Sequence, residues 1–258
     1  MKMIVRVSFL LLPIVAFAQS AGPSFDVVSI KRNVSGSQDI GINQRSVSTF
    51  DSTNVPLSGV IMRAYQVKNI AGAPDWVSAD RYDIVAKAPG RPGRDEVSAM
   101  LRTMFRERLK LAAHIEPREM SVFVIEVERP DHPGLKRVTA DCAAIAARRD
   151  PAAKADNGAP LCGYTWAGGA ITAGGITMQA FAGLLDYVVE RVVVDRTGLP
   201  GPYAFNFRFS LPGIQAAGAD DRADFFTAIR EQLGLKLTPA RAPVDTVVID
   251  HVERPEEN

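Results

Sequence analysis

The sequence predicts an α+β fold made of two tandem copies of a β-α-(β)-β-α-β-β unit, with mainly antiparallel sheets carrying helices on one face. Three observations predict it. Amphipathic helical stretches are interleaved with strands of period-two hydrophobicity, the pattern of helices laid against antiparallel sheets. The apolar pattern also recurs at a fixed offset. Setting Val55-Pro56-Leu57 over Ile176-Thr177-Met178 brings Val67 onto Val188, Tyr82 onto Tyr203, Ile84 onto Phe205 and Ala86 onto Phe207 without a gap. Both copies then close on Glu-Arg-Pro, at Glu128-Arg129-Pro130 and Glu253-Arg254-Pro255.

Each element has a local reason. A leading strand is expected over residues 25–31. The first helix is read from Leu57, Val60, Ile61, Ala64 and Tyr65, the spacing of one buried face, with Asn54 as its expected N-cap. Met178, Phe181, Ala182 and Leu185 take the matching positions in the second copy. Strands over 82–87 and 203–209 follow, and in the latter Tyr203, Phe205, Phe207 and Phe209 line one face. A second helix in each copy is expected to be capped by Asp95 and by Asp224. Its inward residues are Val97, Met100, Leu101, Met104 and Phe105, and in the other copy Phe225, Ala228, Ile229 and Leu233, with Gly234 as the stop. Leu109-Lys110-Leu111 and Leu235-Lys236-Leu237 come next, each followed by a polar, proline-containing turn and a β-rich run, 122–127 and 246–252.

The expected organisation is therefore a signal peptide over 1–18, a first repeat over 19–130, a disulfide-tied insertion over 131–166, and a second repeat over 167–258. Lys2 and Arg6 supply the positive start of a signal peptide, an apolar stretch follows, and Ala16-Phe17-Ala18 offers the small-x-small site that signal peptidase accepts. The mature chain is expected to begin at Gln19 and to be periplasmic or secreted, without stable membrane insertion after cleavage. Removing Lys2 and Arg6 moves the formal net charge from +1 to about −1, which provides no attraction to nucleic acid. Cys142 and Cys162 are the two cysteines of the chain, and in an oxidising compartment a disulfide between them is expected.

The chemistry-bearing residues do not assemble into a reaction on paper. His114, His132 and His251 are scattered: His132 in a turn, His114 in a polar hairpin and His251 near a strand end, with no metal-ligand spacing among them. Asp195-Arg196-Thr197-Gly198 departs from the Asp-Thr-Gly of aspartic proteases by one inserted residue and reads as a turn. Neither Gly168-Gly169 nor Gly174-Gly175 has phosphate-loop spacing. Arg102, Arg106, Arg108 and Lys110 read as the solvated face of a helix. Trp76 and Trp166 are expected in loops, as the aromatics best placed to meet a partner. No catalytic, cofactor-binding or metal-binding residue is assigned. The residues singled out for partner binding are Trp76, Tyr82, Asp195, Arg196 and Tyr203.

Several of these motifs occur together in one family. Phe25-Asp26-Val27-Val28-Ser29-Ile30-Lys31, Gly72-Ala73-Pro74-Asp75-Trp76, Arg81-Tyr82-Asp83-Ile84, Val194-Asp195-Arg196-Thr197-Gly198-Leu199 and Gln232-Leu233-Gly234-Leu235-Lys236-Leu237 resemble a family of secreted proteins of unknown function expanded in soil bacteria. Some relatives carry the module outside the membrane on antibiotic-sensor-type metallopeptidases, which implies sensing or docking. Each repeat also resembles the short modules at the N-termini of secretins and TonB-dependent transducers, which bind partners. The expected function is a non-enzymatic envelope or secreted module for a protein, peptide or glycan partner. The alternative is a hydrolase of envelope polymers that uses Asp195 with Asp75 or Asp80.

Overall fold

The computed structural model describes residues 22–37, 39–46, 48–142, 144–145, 160–167, 169–210 and 222–256. The expected signal peptide, its cleavage site and most of the segment between the cysteines lie outside these. Contacts divide the chain into two compact units, one drawn from residues up to Glu116 together with those from Thr246 onward, the other Pro117–Asp245.

The first unit contains β1 (Val27–Arg32), β2 (Gly41–Ser46), β3 (Thr49–Pro56), α1 (Leu57–Tyr65), β4 (Asn69–Ala71), α2 (Trp76–Ala79), β5 (Arg81–Lys87) and α3 (Arg94–Arg108). β1, β5, β3 and β2 lie in that order in an antiparallel sheet. Its core sets Phe50, Ile84 and Ala86 of the sheet against Leu57 and Ile61 of α1 and Leu101 and Phe105 of α3. After α3 the chain enters β6 (Ala112–Val127), one of two strands that contribute residues to both units.

The second unit contains β7 (Lys136–Arg137), β8 (Gly163–Ala167), β9 (Ala170–Thr177), α4 (Met178–Val189), β10 (Val193–Asp195), β11 (Pro202–Arg208) and α5 (Phe225–Leu233). β7, β11, β9 and β8 form its antiparallel sheet. β12 (Leu235–His251) ends the fold and, like β6, serves both units. β6 and β12 are neighbours in a further sheet, where β10 runs parallel to Phe123–Ile125 of β6 and β4 runs parallel to Thr246–Val248 of β12. The inward positions of β5, Tyr82, Ile84 and Ala86, correspond one for one to Tyr203, Phe205 and Phe207 of β11. Mainly antiparallel sheets combined with α-helices make the fold class α+β.

Local details depart from the expectations in four places. Asn54 does not cap α1: it has a left-handed φ of 57°, is buried, and its amide donates to the carbonyls of Ser37 and Asp39 at 2.7 and 2.9 Å. The cap position is Pro56. Likewise α3 begins two residues early, at Arg94 after Gly93, so Asp95 sits in its first turn, where a carboxylate still complements the helix dipole. Asp224 does cap α5, accepting from the N–H groups of Phe226 and Thr227 at 3.0 and 3.1 Å.

The third departure is larger. The proline-containing turns expected after residues 111 and 237 are not turns. β6 passes through Pro117, and β12 passes through Pro239 and Pro243, so His114 lies within a long strand rather than a hairpin. Side chains over the first half of β6 are mostly exposed, which erases the alternating apolar signal there. The backbone ladder does not need that signal, and a proline removes only its own N–H from it. Fourth, neither tryptophan is in a loop: Trp76 opens α2 and Trp166 lies in β8.

Candidate functional site

In the first unit the segment Gly72-Ala73-Pro74-Asp75-Trp76 turns the chain into α2. Gly72 has φ +72°, and a Cβ there would sit 2.8 Å from the carbonyl of Ile249, so glycine is required twice over. Trp76 is half-buried against the core, and the guanidinium of Arg254 lies 4.9 Å from its ring centroid, a cation–π contact. Asp80, at the end of α2, accepts from Arg32 at 3.0 Å and from Arg254. The hydrogen bond from Arg254, with the charge of Arg32 behind it, holds the Asp80 carboxyl below the ordinary aspartate range. Tyr82 lies beside the same arginine, and burial pushes its phenol up. Trp76 and Tyr82 are thus brought together around Arg254, in an arrangement that fastens the end of the chain to the unit. A carboxylate neutralised by two guanidiniums is poorly suited to trade protons.

The second unit holds Asp195, Arg196 and Tyr203. Asp195 accepts from the backbone N–H of Thr197 at 2.9 Å and from its hydroxyl at 2.8 Å. That hydroxyl in turn accepts from the N–H of Leu199 at 3.2 Å, and Gly198 has φ +65°. Asp195 therefore closes a turn. Arg196 is exposed, while its N–H donates to the carbonyl of Ile125 at 2.9 Å. Tyr203 is a core residue of this unit, as Tyr82 is of the other.

Of the basic cluster, Arg102 is not merely solvated. It donates to the carbonyl of Ala64 at 2.6 Å and stands over the ring of Tyr65, joining α3 to α1. His114 is paired with Asp250 at 2.9 Å, with Glu116 at 3.7 Å. The hydrogen bond to Asp250, aided by both negative charges, raises the His114 pKa. Its contribution to stability is therefore complete below the pKa of a free histidine and disappears as pH rises through the higher folded value. We expect an NMR titration to place His114 above free histidine, and Asp250→Asn to bring it down. An unchanged midpoint in that variant would refute the pairing. Among the described residues no group of three or more His, Cys, Asp or Glu could hold a metal ion.

The candidate site is the exposed strand β8. It is an edge strand, hydrogen-bonded to β9 on one side, and no other described strand pairs with its outer side. Its sequence, Gly163-Tyr164-Thr165-Trp166-Ala167, has no charge and no proline. Edge strands normally carry such devices because bare N–H and C=O groups recruit other strands. The opposite edge of the same sheet does so, since β7 is just Lys136-Arg137. Tyr164 lies opposite Ala173 and Trp166 opposite Ile171, both core residues, so the two aromatics extend the core-side face of the sheet. They remain 48% and 37% exposed. Behind the strand, the Cys142–Cys162 disulfide is formed, with Cα atoms 5.5 Å apart, next to Gly175 of β9. Sequence reading noticed Trp166 and missed Tyr164. The alternation Tyr164-Thr165-Trp166 between glycines was the available signal, too short to stand out.

A profile for a family described as "Protein of unknown function (DUF3738)" matches residues 58–252. The chain belongs to this family. The match runs from α1 through β12 and so includes helices, β8 and the disulfide segment alike. No curated protein and no solved structure matches the chain. In this DUF3738 chain Arg254 joins Asp80 to Trp76, and β8 carries the partly exposed Tyr164 and Trp166. No helix among the described residues is long and apolar enough to cross a membrane.

Proposed function

We propose that this DUF3738 protein is an exported binding or sensing module, periplasmic or secreted, that takes an extended segment of an envelope protein as an added strand along β8. The observation that carries the reading is the edge of β8, unpaired among the described strands, with Tyr164 and Trp166 beside it. Main-chain hydrogen bonds along an edge supply affinity, and alternate side chains meeting the two aromatics supply selectivity. The formed disulfide fits an oxidising compartment. The hydrolase alternative needs free, paired carboxylates. Asp80 is held by Arg32 and Arg254, and Asp195 is spent on its turn, so neither supports it. The shared inward pattern of β5 and β11 supports an origin by tandem duplication.

The test uses the mature protein as bait on native envelope extract. The reading expects a captured polypeptide, a β8 whose amides gain hydrogen-exchange protection on capture, and at least a tenfold loss of affinity for Trp166→Lys, as interface tryptophans often carry about 2 kcal/mol or more. Capture of a glycan, or of a polypeptide that Trp166→Lys still binds equally well, would overturn it.

A further inference from the structure

Each compact unit is closed by a strand that the chain supplies from the other half of its length. In the first unit β4 has three residues, and its parallel neighbour is Thr246–Val248 at the far end of the sequence. Val247 and Ile249 are buried in that unit's core, Asn69 bonds Thr246 at 3.1 Å, and the N–H of Glu253 donates to the carbonyl of Leu109 at 2.7 Å. In the second unit β10 also has three residues, and its parallel neighbour is Phe123–Ile125, which follows the first unit's helices in sequence. Ile125 is buried in that core. The N–H groups of Glu128 and Arg129 donate to the carbonyl of Gly234 at 2.9 and 3.0 Å, and Glu128 takes two hydrogen bonds from Arg230 at 2.8 and 3.0 Å.

A parallel neighbour cannot arrive through a tight hairpin, because the chain must first cross over. Here the crossover is replaced by exchange. The half-chain up to Cys142 holds β4 but not β12, and the half-chain from Cys162 holds β10 but not β6. Each half therefore has one short strand with an open edge and one long strand whose far end has no place in its own unit. We infer that the two half-chains are mutual binding partners: the surface of each is the open edge of β4 or β10, and its occupant is the apolar end of the other half's long strand, Thr246-Val247-Val248-Ile249 or Phe123-Val124-Ile125. The molecule then remains one assembled particle when its chain is cut between Cys142 and Cys162. The disulfide joins the pieces covalently across the cut, and the exchanged strands join them once it is reduced.

The experiment places a recognition sequence for a specific protease between the two cysteines of the full chain. The purified protein is cleaved, reduced and run by size-exclusion chromatography, with the uncut protein reduced in parallel. The expected result is co-elution of both fragments at the uncut position, with the circular dichroism of the uncut protein. Separation of the fragments without denaturant, or loss of structure in the cut protein alone, would overturn the inference. In the cut and reduced protein, Val247→Asp should release the fragments from each other, and co-elution undiminished by that change would also count against strand exchange.

Discussion

Phe207→Ala is expected to lower the stability of the protein by about 3–5 kcal/mol, the range for deleting a fully buried aromatic ring. Phe207 has no exposed surface. Its ring lies 4.8 Å from that of Phe209 in a stacked pair, and edge-on to Phe225 and Phe181 at 5.8 and 6.3 Å. These four residues come from β11, the segment just after it, α4 and α5, so one ring braces the sheet against both helices of the second unit. Aromatic neighbours are large and rigid and cannot collapse into the space left behind, which puts the cost at the upper end. Phe226, next to Phe225 but 44% exposed, provides the comparison, and its alanine variant should cost about 1 kcal/mol or less. Urea unfolding of both variants checks the contrast. Equal losses would mean that the aromatic cluster does not carry the unit.

Replacing both cysteines, Cys142→Ser with Cys162→Ser, is expected to cost roughly 3 kcal/mol through the entropy returned to the unfolded chain. The bridge closes a separation of 20 residues. The same loss should follow reduction of the unaltered protein, and the double variant should be insensitive to reductant. The bridge is seated against β9 so closely that a Cβ on Gly175, whose φ is +65°, would stand 2.5 Å from the sulfur of Cys142 and 2.8 Å from the carbonyl of Leu161. Gly175→Ala should therefore weaken the same corner with the bridge intact. If the double serine variant unfolds within about 0.5 kcal/mol of the parent, the bridge is not a significant constraint on the unfolded chain.

The sequence by itself determined the α+β class, the inward faces of α1, α3, α4 and α5, the aromatic face of β11, the cap at Asp224, the stop at Gly234 and the pairing of Cys142 with Cys162. All of these follow from local periodicity, local hydrogen-bonding chemistry or the count of cysteines. Only the tertiary structure decided that Asn54 would be buried to hold Ser37 and Asp39, that Asp80 would join Arg32 to Arg254, and that Trp166 would stand on an edge strand of the described sheet. It also decided that the last strand following each pair of helices would enter the other compact unit. Periodicity records which face of a strand is buried, and that face looks the same whichever sheet receives it. The choice of sheet rests on backbone ladders between residues 70 and 177 positions apart, and these leave no mark on a local pattern.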